Sequence, residues 1–115
     1  MHCDIICGVK ATKGKRRKDE MEIYKTDDYT AWEATLRDGR ALRHVAARVR
    51  QMSLGNFSDA KSVGEGVMET RIHYGPGYRL YYTRRGGAIV VLLVGVDKST
   101  QRKDIARAKE LARNI

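Results

Sequence analysis

The nine residues Ala88–Val96, read as Ala-Ile-Val-Val-Leu-Leu-Val-Gly-Val, constrain the fold of this chain more than any other stretch. A bilayer-spanning helix needs about 20 apolar residues, so this run is too short to cross a membrane. It suits a central strand buried above and below, because apolar side chains occupy both faces of a two-residue repeat. The segments before it alternate instead. In Val67–Tyr74, Met68, Ile72 and Tyr74 share one face, and Glu69, Arg71 and His73 share the other. In Tyr78–Arg84, Leu80 and Tyr82 oppose Arg79, Tyr81 and Thr83. Gly75-Pro76-Gly77 predicts a turn with proline second and a positive-φ glycine third, and Arg85-Gly86-Gly87 predicts the next hairpin.

Upstream of residue 67 the period is helical. Met21–Lys25 reads as an opening strand, and Thr26 as the N-cap of a helix whose first turn carries Asp27 and Asp28, where carboxylates suit the helix dipole. Tyr29, Trp32 and Leu36 form its apolar stripe, which Asp38-Gly39 interrupts. A second helix presents Leu42, Val45, Ala46, Val49 and Met52 inward, with Arg40, Arg43, Arg48 and Arg50 elsewhere and Gly55 as C-cap. Residues 53–66 read as a loop carrying Lys61 and a Gly64-Glu65-Gly66 bend. Ser99 or Thr100 begins a last helix with Ile105, Ala108, Leu111 and Ala112 inward and Arg102, Lys103, Arg107, Lys109 and Arg113 largely outward. The predicted order is β-α-α-β-β-β-α: an α+β fold, an antiparallel meander with its helices on one face.

At 115 residues the chain predicts a single domain. Lysine and arginine exceed aspartate and glutamate by 23 to 14, a formal charge of +9. The excess is uneven: residues 71–115 hold ten basic and three acidic residues, whereas residues 21–70 hold seven and eight. The C-terminal part therefore faces anions, nucleic acid first among them. Residues 1–20 read as a disordered basic tail or a non-native extension, with Met21 as the functional start. Cys3 and Cys7 with His2 lack the second ligand pair of a structural zinc site, and read as free thiols in a reducing cytoplasm.

No Ser-His-Asp set, phosphate-binding glycine loop or metal-ligand cluster is legible, which sets aside those enzyme classes. What remains is the polar face of the hairpin, where Arg71 and Arg79 converge once the two strands pair. Arginine suits a phosphodiester, since its planar fork makes two parallel hydrogen bonds to phosphate oxygens and stays charged. Lys98 adds a cation beyond the central strand, and Lys61, Tyr81, Arg84 and Arg102 are further RNA-binding candidates. The competing reading is a solvated face of charges.

Residues 56–109 resemble the RelE/HigB toxin superfamily, in its branch of addiction-module killer proteins. The resemblance is carried by Asn56-Phe-Ser-Asp-Ala-Lys61, Gly64-Glu-Gly-Val67, Glu69-Thr-Arg-Ile72, Tyr74-Gly-Pro-Gly-Tyr-Arg-Leu-Tyr-Tyr82, Asp97-Lys-Ser-Thr-Gln101 and Asp104-Ile-Ala-Arg-Ala-Lys109. With the Trp32 helix and Arg37-Asp38 it extends over residues 21–115. It implies a RelE-like fold and a cytoplasmic toxin that enters the ribosomal A site and cuts messenger RNA without a metal or other cofactor. A cognate antitoxin, typically a helix-turn-helix DNA-binding protein, would silence it. The match assigns Arg79 to the scissile phosphate, Arg71 to a basic position on the preceding strand and Lys98 to one after the last strand. Some members use a C-terminal tyrosine, and this chain has none after Tyr82. The general base is left to Glu69 or His73, with a structural pairing of Glu69 to either arginine as the other role for that residue. A non-catalytic module that binds RNA or antitoxin through the same surface is the alternative function.

Overall fold

The computed structural model describes residues 9–11, 20–97 and 101–115. These form strands β1 (Val9–Ala11) and β2 (Glu22–Thr26), helices α1 (Asp27–Ala34) and α2 (Gly39–Ser53), strands β3 (Ala60–Gly64), β4 (Val67–Ile72), β5 (Tyr78–Arg85) and β6 (Ile89–Asp97), and helix α3 (Gln101–Arg113). Among the described residues the sheet runs β1-β2-β6-β5-β4-β3. The fold is α+β, and no described helix is long and apolar enough to cross a membrane.

Three features differ from the antiparallel meander read from the sequence. First, β2 pairs parallel to β6, so the sheet is mixed. Second, the helices cover both faces. Tyr29, Ala41, Val45 and Met52 of α1 and α2 pack on Ile23, Ile72, Leu80, Tyr82, Val90 and Leu92. Ala108 and Ala112 of α3 pack on the reverse, against Val67, Tyr81, Val91 and Leu93. A strand apolar on both sides, as β6 is, demands this second layer. Third, Ala60–Gly64, read as loop, is an edge strand pairing antiparallel with β4. Of the 1–20 tail, Val9–Ala11 pair with β2 as the opposite edge. The expectation of disorder, the Cys3–Cys7 reading and the Ser99 or Thr100 cap otherwise lie outside the described residues.

The helix signals hold with small shifts. The Thr26 hydroxyl accepts from the Tyr29 amide at 3.0 Å, the N-cap bond, and donates to the Leu93 carbonyl at 2.6 Å. Asp38 caps α2 by accepting from the Arg40 amide at 2.9 Å. That helix ends at Leu54, one residue before the expected Gly55. Its inward face contains Ala41, whereas Leu42 and Ala46 are exposed. The β4–β5 turn closes by the Gly77 amide donating to the Tyr74 carbonyl at 2.9 Å. Gly75, at φ 58°, is therefore its second residue and Pro76 its third, one step earlier than the sequence suggested. A positive φ at the second position matches the twist of a hairpin, which explains the shift.

A bulge sets the packing at the far end of β6. Tyr81 faces Val94 and Tyr82 faces Leu92, so Leu93 is the extra residue and the side-chain alternation reverses beyond it. Gly95 is thereby turned to the α1 side, where the Trp32 ring covers it. A β-carbon at Gly95 would overlap that ring. Gly95→Ala is expected to lower the unfolding free energy by about 1–3 kcal/mol through overpacking. Urea unfolding measures it, and Trp32→Phe in the same chain should recover part of the loss. An unchanged midpoint in Gly95→Ala would contradict this packing.

Candidate anion site on the β4–β5 hairpin

The β4–β5 register sets Arg71 opposite Arg79 and Glu69 opposite Tyr81, four side chains on the α3 face of the sheet. Glu69 is the hub and is fully buried. Its Oε2 accepts from the Tyr81 hydroxyl at 2.8 Å, and its Oε1 accepts from Nε of Arg71 at 3.3 Å. Nε of Arg79 lies 3.8 Å from Glu69 Oε2. A buried carboxylate is tolerated only when paired in this way, and in return it draws the two guanidinium groups together.

The two arginines differ in exposure. The Arg71 side chain is 43% exposed and that of Arg79 only 13%. Nε and Nη1 of Arg79 are buried and make no hydrogen bond among the described residues. Buried donors without an acceptor are costly, and an anion placed beside them would remove that cost. A cavity of about 440 Å³ wraps the turn from Arg71 to Arg79. A second, of about 290 Å³, adjoins Arg71 and is bordered by Asp59, Lys61, Glu69 and His73.

The structure thus brings Arg71, Arg79 and Glu69 together, with Lys61 and His73 at the rim. Lys61 stands opposite Glu69 on β3 and is exposed. His73 is 74% exposed, its Nε2 4.0 Å from Asp59 Oδ2. One RNA-binding expectation is corrected, and one residue is placed away from the cluster. Tyr81 is fully buried, so its ring offers no stacking surface. Burial, reinforced by the bond to Glu69, pushes its hydroxyl above the ordinary tyrosine range. Arg84 lies on the opposite face, its guanidinium 4.4 Å from the centre of the Phe57 ring. Arg102 is exposed in the first turn of α3, and no described hydrogen bond or ion pair joins it to the cluster. Lys98 lies outside the described residues.

Asp104 was missed. It falls one turn before Ala108 on the inward stripe of α3, and an acidic residue at such a position was the available signal. Its Oδ2 is buried and without a hydrogen bond among the described residues. Burial pushes this carboxyl above the ordinary aspartate range, against the opposing pull of Arg79. Among the described residues no three histidine, cysteine, aspartate or glutamate side chains gather closely enough to hold a metal ion.

Comparison with known proteins finds 43% identity over 95 residues to an uncharacterized protein of Haemophilus influenzae, spanning 83% of this chain and 96% of that protein. The chain belongs to the family of that protein. No family model matches the chain, and no solved structure matches it. In this member of the family, the chemistry on offer is a partly enclosed pair of guanidinium groups held by a buried glutamate.

Proposed function

We propose that the chain is a RelE/HigB-like toxin of the cytoplasm: an endoribonuclease that cuts messenger RNA on the ribosome and is neutralised by a cognate helix-turn-helix antitoxin. The ordered motif series from Asn56 to Lys109 supports it. The observation that carries it is the apposition of Arg71 and Arg79 across one buried glutamate, beside a cavity and with Arg79 donors unsatisfied.

The chemistry follows from that geometry. The 2′-hydroxyl beside the scissile bond gives up its proton and attacks phosphorus in line, the bond to the 5′-oxygen breaks as that oxygen takes a proton from water, and the products are a cyclic phosphate and a free 5′-hydroxyl. The pentavalent state gains negative charge on its non-bridging oxygens, where Arg71 and Arg79 stabilise it, with Lys98 as a further cation. Arginine is a poor acceptor for the attacking proton because its pKa exceeds about 12. Both oxygens of Glu69 are occupied by Arg71 and Tyr81, which makes it the positioning residue. His73, exposed at the rim, is the base in this reading.

The direct test is inducible expression with mapping of messenger 5′ ends. Growth arrest is expected, with new 5′ ends inside translated regions and recovery when the neighbouring antitoxin is co-expressed. Intact transcripts during arrest would leave only a non-catalytic binding module.

A further inference from the structure

We propose that the outward face of α2 docks on the phosphate backbone of double-helical RNA, at a surface separate from the Arg71–Arg79 cluster. The fifteen residues Gly39–Ser53 contain four arginines, one histidine and no acidic residue. Arg48 is turned toward the sheet, where its Nη1 donates to the Thr70 hydroxyl at 2.5 Å and to the Arg71 carbonyl at 2.7 Å. The other three point away. Arg40, Arg43, Ala47 and Arg50 follow one another by three, four and three residues, which makes a single stripe about 15 Å long. All four are exposed, and the stripe lies opposite buried Ala41, Val45 and Met52.

None of these three guanidinium groups makes a hydrogen bond or salt bridge among the described residues. The adjacent carboxylate, Asp38, is taken up by the Tyr74 hydroxyl at 2.9 Å and by the Arg40 amide. Like charges repeated along one helix face repel each other, and among the described residues no ion pair with Arg40, Arg43 or Arg50 offsets that cost. A polyanion offsets it.

The composition of the stripe selects the kind of polyanion. Binding a single strand relies on exposed rings on which bases stack. The stripe has no such ring, since His44, beside it, stacks on Tyr74 at 4.4 Å between centroids. An acidic protein partner needs apolar anchors at the centre of its contact, whereas exposed Leu42 lies off the stripe and exposed Leu54 beyond its end, leaving Ala47 between the arginines. Guanidinium forks at regular spacing suit phosphates, and double-helical RNA presents these with its bases turned inward. The surface lies beside the candidate site without sharing a lining residue with it. Tyr74 lines the same cavity as Arg71 and Arg79, so one RNA body against α2 would set a neighbouring strand beside the turn.

The test measures binding of a labelled RNA stem-loop with a fully paired stem, by fluorescence anisotropy across a salt series. The full-length chain is compared with R40A/R43A/R50A and with the matching triple lysine variant, circular dichroism checking the fold. The alanine triple is expected to weaken binding about tenfold or more and to reduce the salt slope by about 2–3, one phosphate per arginine. The lysine triple should retain the slope while losing part of the affinity. Lys103→Ala, which removes an exposed cation on α3, should bind the stem as the unaltered chain does, so that the loss in the alanine triple belongs to this stripe rather than to lowered net charge. An unchanged slope in the alanine triple overturns the proposal. So does poly-glutamate binding that matches the stem-loop and responds to the same variants, which would assign the face to an acidic protein. Stem binding lost in the alanine triple, from a chain that leaves messengers intact, upholds this proposal while removing the nuclease.

Discussion

Arg79→Ala is expected to slow messenger cleavage by about 10²–10³-fold, the usual cost of removing one preorganised donor from a charged transition state. Two observations place the effect at this residue. Arg79 is the more enclosed of the two arginines, so its charge is less screened, and its buried donors have no acceptor among the described residues. Arg79→Lys keeps the charge but loses the planar fork, and should fall between the two. Single-turnover cleavage on programmed ribosomes measures the rate, and loss of growth arrest reports it in cells. Arg71→Ala should have a smaller effect, because that side chain is nearly half exposed. Cleavage by Arg79→Ala at the rate of the unaltered chain would remove the proposed centre.

The largest effect on stability is expected from Glu69. Glu69→Ala leaves the Tyr81 hydroxyl without its acceptor and two neighbouring guanidinium groups without their counter-charge in a partly enclosed space. Removing one partner from a buried ionic cluster costs about 3–5 kcal/mol, which is a large fraction of a small domain's total stability. The melting temperature should fall by about 10–20 °C. Glu69→Gln keeps an acceptor for Tyr81 and loses only the charge, so its cost should be smaller. Scanning calorimetry and urea unfolding of both variants separate the hydrogen bond from the charge. A loss below about 1 kcal/mol in Glu69→Ala would show that the hub holds little together.

Signals confined to a few neighbouring residues were legible in the sequence. Thr26 caps its helix, Asp38-Gly39 falls at the break between the first two helices, Val45 and Met52 point inward, and alternation set Arg71 and Arg79 on strands that pair in register. Features that depend on distant partners were not. β3 has little apolar alternation and becomes a strand only by pairing with β4. The parallel contact of β2 with β6 joins segments far apart in the chain, and nothing local announces it. Tyr81 reads as an RNA contact because polar character along a strand does not reveal which side a later helix covers. α3 buries Tyr81, and the reverse face carries Arg84 against Phe57. Asp104 escaped notice for the same reason, its meaning depending on an arginine from another element.

The parallel ladder between β2 and β6 also bears on how the protein comes into being. β2 leaves the ribosome before the strand it pairs with along its inner edge, since two helices and three strands lie between them in the chain. Hairpins such as β4–β5 close locally and quickly, whereas this pairing must bring remote ends together. The edge of the sheet formed by β2 therefore closes only after β6 has been made, later than the hairpin that sets the two arginines side by side, and the completed sheet is a product of the same machine that the molecule is proposed to attack.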